Sequence, residues 1–246
     1  MFFRKNRPLS RRLIGVASLY FAALVSPALM AAAPLTVSET TMQMIVKASI
    51  GDLPAMRIML EQGLDIDHRD TVGNTPLLFA ARYGRTPLVN YLLDHGADVD
   101  AETLSGITPL QETIRRGNMD VLRALLAAGA DVAHEDQHHE NALFDAVKYR
   151  SVLATRLLLE RGVPSGTHND HDITALLYAV EDNQLEIVEM LLEAGVDIND
   201  GSLQYGVALC IARQRHLERM EHYLLQHGAT PSDCKQYRPT VSGWLP

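Results

Sequence analysis

A glycine that recurs at a fixed interval constrains this chain more than any other feature of its sequence. Successive copies lie 33 residues apart, at Gly63, Gly96, Gly129, Gly162, Gly195 and Gly228. A Leu-rich segment precedes each of them, such as Leu125-Leu126 before Gly129. Repetition at a period of roughly 20 to 50 residues is typical of chains that stack small units, because one unit alone cannot bury its apolar side.

A second marker keeps the same period. It occurs as Thr75-Pro76-Leu77, Thr108-Pro109-Leu110, Asn141-Ala142-Leu143, Thr174-Ala175-Leu176 and Val207-Ala208-Leu209. Thr75 is predicted to cap a first helix, and Pro76 suits the first turn because its missing N–H is not needed there. Gly96 is predicted to end a second helix in a left-handed conformation. Each unit is therefore expected to be a helix–turn–helix.

The two markers resemble those of the ankyrin repeat, whose first helix opens on Thr-Pro-Leu and whose second helix ends before Gly-Ala-Asp. Gly96-Ala97-Asp98 and Gly129-Ala130-Asp131 match that ending. The resemblance implies an all-α solenoid of about six units with short β-turn fingers between them. The expected boundaries are 40–72, 73–105, 106–138, 139–171, 172–204 and 205–232, with a tail of 233–246.

Some units depart from the pattern. The first unit lacks Thr-Pro-Leu, and the last runs into a tail rich in turn residues, as expected of end caps. His139, Asp172 and Tyr205 replace the loop glycine found at Gly73 and Gly106. Because glycine adopts a positive φ without strain, we expect less regular loops at those three positions.

The first residues have the composition of an export signal. Residues 4–12 are basic, residues 13–25 are apolar, and small residues follow through Ala33, which predicts a cleavable signal peptide over 1–33 and a short leader over 34–39. Arg11-Arg12 partly resembles the twin-arginine motif, so that route and general secretion both stay open. Residues 13–33 are also long enough to be an uncleaved anchor. Each alternative carries the remainder across the membrane, which predicts a periplasmic protein.

The charge limits the classes of partner. The chain has a formal net charge of −8, although residues 1–33 contain five basic and no acidic side chains. The remainder is thus more acidic still and is expected to repel phosphate backbones and anionic lipids. We therefore expect no nucleic acid and no membrane surface among its partners, and a monomer that binds another protein.

The resemblance also implies where that partner binds, since ankyrin repeats bind through finger tips and the exposed side of the first helix. The implied helix positions are Phe79, Arg82, Tyr83, Glu112, Arg115, Arg116, Asp145, Lys148, Tyr149, Tyr178 and Glu181. The implied finger positions are Arg69, Glu102, Leu104, Glu135, His138, His168 and His171. Tyr83, Tyr149 and Tyr178, expected to be exposed, favour a binding surface, because Tyr and Arg are common at hot spots. The alternative is that these are ordinary solvated positions of the repeat.

Histidines and cysteines suggest further possibilities. His134, His138, His139, His168 and His171 lie close in sequence. His138 and His171 occupy equivalent places in adjacent fingers, expected to be about 10 Å apart, which is too far for one metal ion. We expect polar finger residues or a pH-sensitive surface instead. In an exported protein, Cys210 and Cys234 are expected to form a disulfide that pins the tail, the alternative being two thiols.

We find none of the sequence patterns of a serine nucleophile elbow, a zinc protease helix, a phosphate-binding loop or a redox Cys-x-x-Cys, so neither catalysis nor a cofactor is expected. Two functions remain. The first is a non-catalytic periplasmic protein-binding scaffold, which the resemblance to exported bacterial ankyrin proteins associates with envelope or oxidative-stress defence. The second is an immunity or inhibitor protein whose acidic concave surface occludes the basic cleft of a toxin enzyme.

Overall fold

The computed structural model describes residues 37–202, 206–230 and 234. The predicted signal peptide, Tyr205 and nearly all of the tail lie outside these residues. Residues from Thr41 onward belong to one compact unit. In the part of the chain that the structure describes, no helix combines the length and apolar character needed to cross a membrane.

The described residues form twelve helices that follow one another in pairs. These are α1 Val37–Ile50, α2 Leu53–Glu61, α3 Pro76–Arg82, α4 Thr86–Asp94, α5 Pro109–Arg116, α6 Met119–Ala127, α7 Ala142–Lys148, α8 Val152–Glu160, α9 Ala175–Glu181, α10 Leu185–Glu193, α11 Ala208–Gln214 and α12 Glu218–Gln226. Two short antiparallel strands, β1 Gly201–Ser202 and β2 Gly206–Val207, precede α11. The predicted helical repeat architecture is confirmed.

Helix α1 begins earlier than expected. It starts at Val37, so its first turn lies inside the segment 34–39 that the sequence predicts to be a short leader. Glu39 lies in the first turn of α1. A carboxylate is favourable there because it interacts with the positive end of the helix dipole.

Four of the first helices, α3, α5, α7 and α9, begin after a residue whose side chain caps them. The side chains of Thr75, Thr108 and Thr174 each accept a hydrogen bond from the backbone N–H three residues on. Asn141 caps α7 in a similar way, whereas Val207 has no side-chain bond to offer α11. The predicted roles of Thr75 and Pro76 are therefore confirmed. So is that of Gly96, which follows α4 at a φ of +86°.

The core runs continuously through the stack. Among the first helices, α3 packs on α5, α5 on α7, α7 on α9 and α9 on α11, and the second helices pack similarly where α4 meets α6 and α8 meets α10. The leucine of the second marker is fully buried in all five places where it occurs: Leu77, Leu110, Leu143, Leu176 and Leu209. Truncating such a leucine to alanine costs about 2 to 5 kcal/mol. The leucine recurs every 33 residues because each unit buries it against its neighbours.

Polar side chains at the start of the second helices also tie neighbouring units together. The Asn118 amide donates to the carbonyls of Ala81 and Arg82 at 2.9 and 3.0 Å. In a later unit, Gln184 Nε2 donates to the Val147 carbonyl at 3.0 Å. These bonds reach carbonyls at the end of the first helix of the preceding unit, and they add to the turn bonds that Ala81 and Val147 accept from Gly84 and Arg150.

The loops between pairs, which we call fingers, cover residues 69–74, 102–107, 135–140 and 168–173. Within each, a backbone N–H donates to the carbonyl four residues on, as from Asp70 to Asn74 and from Asp136 to Glu140. Between fingers, the N–H groups of Leu104, Gln137 and Asp170 donate to the carbonyls of Val72, Ser105 and His138. The fingers therefore form a regular hydrogen-bonded ladder along one edge of the stack.

The expectation of irregular loops at His139 and Asp172 is wrong. Both residues adopt a φ of +58°, close to the +86° of Gly73 and the +79° of Gly106. The same side-chain bonds hold the turn with and without glycine. Asp70 Oδ1 accepts from the N–H groups of Val72 and Asn74 in the finger that contains Gly73. Asp136 Oδ1 accepts from those of His138 and Glu140. Asn169 Oδ1 bonds the next finger in the same way.

The two cysteines lie at disulfide distance. Cys210 is fully buried in α11, and a bond joins it to Cys234 with a Cα–Cα distance of 5.3 Å. The bond connects the start of the tail to the last helix pair.

Substitutions at two capping positions test how much the caps contribute to the free energy of unfolding. Thr174→Val keeps the side-chain shape but removes the acceptor for the Leu177 N–H, so the free energy of unfolding should fall by about 1 kcal/mol. Val207→Thr supplies the missing acceptor at the equivalent position and should raise it. Urea titration followed by circular dichroism measures both variants. Changes of the same sign would contradict the assigned caps.

The disulfide gives a second prediction. Mass spectrometry of the oxidised protein after alkylation should find no alkylated cysteine and a linked peptide pair. Since the bond closes a loop with a sequence separation of 24, reduction should lower the free energy of unfolding by about 3 kcal/mol. The Cys210→Ala, Cys234→Ala double variant is the control that reductant should leave unchanged. Two alkylated thiols in the oxidised protein would refute the bond.

Candidate functional site

Charged side chains of one unit reach the next unit along the side where first helices and fingers meet. We call this side the inner face. Arg82 at the end of α3 donates through Nε to Glu112 Oε1 of α5 at 2.7 Å, and through Nη2 to Asn74 of the finger at 3.4 Å. Arg116 donates to the same Glu112 oxygen at 3.0 Å. A single carboxylate thus joins two units.

The next pair of units repeats the arrangement. Arg115 of α5 donates through Nε to Asp145 Oδ1 of α7 at 2.8 Å and through Nη2 to Asp136 of the finger at 3.2 Å. Lys148 lies 4.0 Å from Glu140 Oε2. We call the eight side chains of these pairs the charged cluster: Arg82, Glu112, Arg115, Arg116, Asp136, Glu140, Asp145 and Lys148.

Within the charged cluster, cations lie outside and carboxylates lie beneath them. The Arg116 side chain is 56% exposed against 6% for Glu112. The Arg115 side chain is 21% exposed against 1% for Asp145. Arg82 and Lys148 are likewise more exposed than the carboxylates they face. Although the protein as a whole is acidic, the cations form the outer layer of this cluster, with Arg116 the most exposed of them.

Asp145 is the most deeply buried carboxylate of the cluster. Burial raises its pKa from an ordinary 3.8 to about 7, against the lowering effect of Arg115, and nearby Glu140 and Asp136 raise it further. Its Oδ2 is buried and makes no hydrogen bond with any described residue. Near neutral pH a fraction of Asp145 is therefore protonated, which leaves the cations of the cluster less than fully balanced.

Aromatic side chains flank the cations. Tyr83 and Tyr149 are 50% and 49% exposed. Tyr83, Arg116 and Tyr149 occupy the same register in three successive units, so that one arginine lies between two tyrosines along the stack. The Phe79 ring stacks on Tyr83 with centroids 6.4 Å apart, and the Arg82 guanidinium lies 5.2 Å from the centre of the Phe79 ring.

Three residues predicted to be exposed for a partner are buried. Glu112 and Asp145 are covered by the arginines that pair with them. Tyr178 is 8% exposed and meets Phe144 edge-on with ring centroids 6.2 Å apart. It shares the register of Phe79, not that of Tyr83 and Tyr149. The physical reason is common to all three, because side chains at this register pack against a neighbouring unit.

The remaining predicted positions are divided between the cluster and the fingers. Arg69 donates to the Glu102 carbonyl at 2.6 Å, and Leu104 is exposed at its finger tip. Glu181 pairs with Arg215 of α11. The described structure brings these residues to one side of the stack, but it does not gather them into one site.

The finger histidines pair with acids. His138 Nδ1 lies 3.3 Å from Asp170, His168 Nε2 lies 3.4 Å from Asp200, and His139 Nδ1 lies 3.3 Å from Glu135. His171 is exposed. Within the described ranges, no group of three or more His, Cys, Asp or Glu side chains is placed to hold a metal ion.

Sequence reasoning missed Asp136, the buried finger carboxylate that pairs with Arg115. The sequence does contain a signal for the pairs that join successive first helices. Arg82 and Glu112 are 30 residues apart, as are Arg115 and Asp145, which is just short of the repeat period. A side chain at the end of one first helix therefore reaches the middle of the next first helix.

Comparison with known families agrees with the repeats in the structure. A family model described as ankyrin repeats (3 copies) matches residues 42–136 and 131–202. No curated protein matches the chain.

The raised pKa of Asp145 predicts a specific pH dependence. The folded state binds this proton more tightly, so the stability that the group contributes is present below pH of about 4 and is lost as the pH rises to about 7. Asp145→Asn cannot ionise. Its free energy of unfolding relative to the natural protein should therefore rise by at least about 1 kcal/mol between these two pH values.

Urea titrations at both pH values measure the difference. Asp120→Asn, which removes an exposed carboxylate on α6, is the matched control and should show no such trend. A pH-independent difference for Asp145→Asn would contradict the raised pKa.

Proposed function

Since this chain belongs to the ankyrin-repeat family, we propose that it is a non-catalytic scaffold that binds another protein through its inner face. Ankyrin repeats generally mediate protein–protein interaction. The observation that carries the proposal for this chain is the row of Tyr83, Arg116 and Tyr149. These side chains are about half exposed and lie at one register, at or just after the ends of packed first helices. Tyr and Arg are the residues most often found at hot spots, and sites on packed helices are ordered in advance of binding.

We further infer that the stack contains six repeats over residues 40–232. The six helix pairs and the recurring buried leucines support this number, because five of the six pairs supply the same leucine to the core. The first and last pairs act as end caps, since each has a neighbour on one side only.

The scaffold is proposed to work in the periplasm. Residues 1–33 have the composition of an export signal. The pair Cys210–Cys234 supports the same compartment, because structural disulfides persist in oxidising environments and are rare in the cytosol.

The charge of the inner face separates this function from the alternative of a toxin inhibitor. An inhibitor that occludes a basic cleft needs a negative surface. In the charged cluster the carboxylates are buried, Arg116 is exposed, and Arg82 and Arg115 are partly exposed. This arrangement is the reverse of what the inhibitor hypothesis requires, and the scaffold is the function that we retain.

The tyrosine row gives the test of the proposed function. A double variant, Tyr83→Ala with Tyr149→Ala, should reduce capture of the partner from periplasmic extract about tenfold or more, because each ring is expected to be a hot spot. The melting temperature should stay the same, since both rings are largely outside the core. Quantitative affinity purification and thermal denaturation measure the two effects.

The matched control removes exposed apolar side chains from the second helices instead. Ile58→Ala with Leu225→Ala changes α2 and α12. It should leave capture intact. An identical set of captured proteins for the tyrosine variant and the natural chain would rule out this surface.

A further inference from the structure

We propose that the charged cluster and its flanking tyrosines form the docking surface for an acidic, extended segment of a protein partner. The inference rests on the proposed protein-binding function and adds the chemistry of what is bound. It follows from the layering of charge, from unused hydrogen-bond donors and from the spacing of the units.

The layering of charge determines the sign of the surface. Four cations and four carboxylates form the cluster, but each cation is more exposed to solvent than the carboxylate it faces. Electrostatic attraction is strongest for the charges a partner approaches most closely. A partner carboxylate therefore meets Arg82, Arg115, Arg116 and Lys148 before it is near any acidic group of the cluster.

The arginines also retain donors for a ligand. Arg115 donates through Nε to Asp145 and through Nη2 to Asp136. Arg82 donates through the same two nitrogens to Glu112 and Asn74. Their Nη1 groups make no hydrogen bond with any described residue, and neither Nη group of Arg116 does. A guanidinium held in place by one carboxylate is ready to donate to a second, because its planar fork is already oriented.

The spacing of the units favours an extended chain. Neighbouring first helices pack roughly 10 Å apart, and an extended chain advances roughly 3.3 Å per residue. Acidic residues about three positions apart on the partner would then meet the cations of successive units. Side chains between them would lie against Tyr83 and Tyr149, whose rings offer apolar contact at small entropic cost.

The surroundings of the cluster distinguish a short acidic segment from a long polyanion. The exposed finger residues Glu102, Glu135 and Asp170 lie around the cluster, and the whole chain carries a net charge of −8. A nucleic acid or an anionic membrane extends beyond the cluster and meets this negative charge. A short peptide segment confined to the inner face avoids it.

Panning a phage library of short random linear peptides against the full chain tests the proposal. Enriched peptides are synthesised, and fluorescence anisotropy measures their dissociation constants. Each peptide is compared with a copy in which every Glu and Asp is changed to its amide.

The protein variants are matched in charge. Arg116→Glu reverses a cation of the cluster, and Arg116→Gln neutralises it with less effect on the buried Glu112. Arg123→Glu makes the same charge change on α6, where the arginine is 54% exposed and faces only Asp120 at 3.8 Å. Thermal denaturation confirms that each variant folds.

We expect the enriched peptides to be acidic, and Arg116→Glu and the amide copies each to weaken binding about tenfold or more. Arg123→Glu should change binding less than about twofold, because the charge lies outside the surface. A peptide with Lys in place of its acidic residues should bind Arg116→Glu better than it binds the natural protein.

Enriched peptides that are neutral or basic would overturn the proposal, as would equal effects of Arg116→Glu and Arg123→Glu or a panning that enriches nothing. The acidic ligand can be ruled out while the proposed protein-binding function stands. If the tyrosine variant loses its partner while reversal of Arg116 has no effect, the scaffold function stands and the acidic ligand does not.

Discussion

Every helix pair in this protein exposes an apolar side until the next pair covers it. Leu77 and its counterparts reach full burial only because α3 packs on α5 and so on along the stack. This shared burial accounts for most of the favourable free energy, since buried apolar area is the dominant stabilising term in folding. The finger ladder and the bonds from Asn118 then fix the register of units that the core has already brought together.

The charged cluster forms because the units stack, but unlike the core it contributes little to stability. An ion pair such as Arg115 with Asp145 adds little net stability, because removing both charges from water offsets most of their attraction. Its main effect is on the surface. Through these ion pairs, carboxylates of one unit fix the positions of cations from its neighbour. The inner face therefore has a defined charge pattern that neither unit has alone.

Local features of the fold were predictable from the sequence because they depend on one residue and its immediate neighbours. The cap at Thr75 and the end of α4 at Gly96 are examples. The exposed fraction of a side chain was not predictable in this way, because it depends on which residues of the neighbouring unit cover that side chain. The same limit explains why Tyr178 was expected at the surface. The turn at His139 is a different case, because it depends on local bonds to Asp136 in the same finger.

The bond between Cys210 and Cys234 makes the two ends of the stack unequal. In a linear array the outermost units open first, because each is held by one neighbour only. At the carboxyl end a covalent link prevents the last pair from separating from the start of the tail. At the amino end, Met42, Val46 and Ile50 are exposed along α1, and the interactions that hold this helix are noncovalent. Local opening is therefore unequal at the two ends: the last helix pair and the start of the tail can leave the stack only as one linked segment, whereas α1 can separate by breaking noncovalent contacts alone.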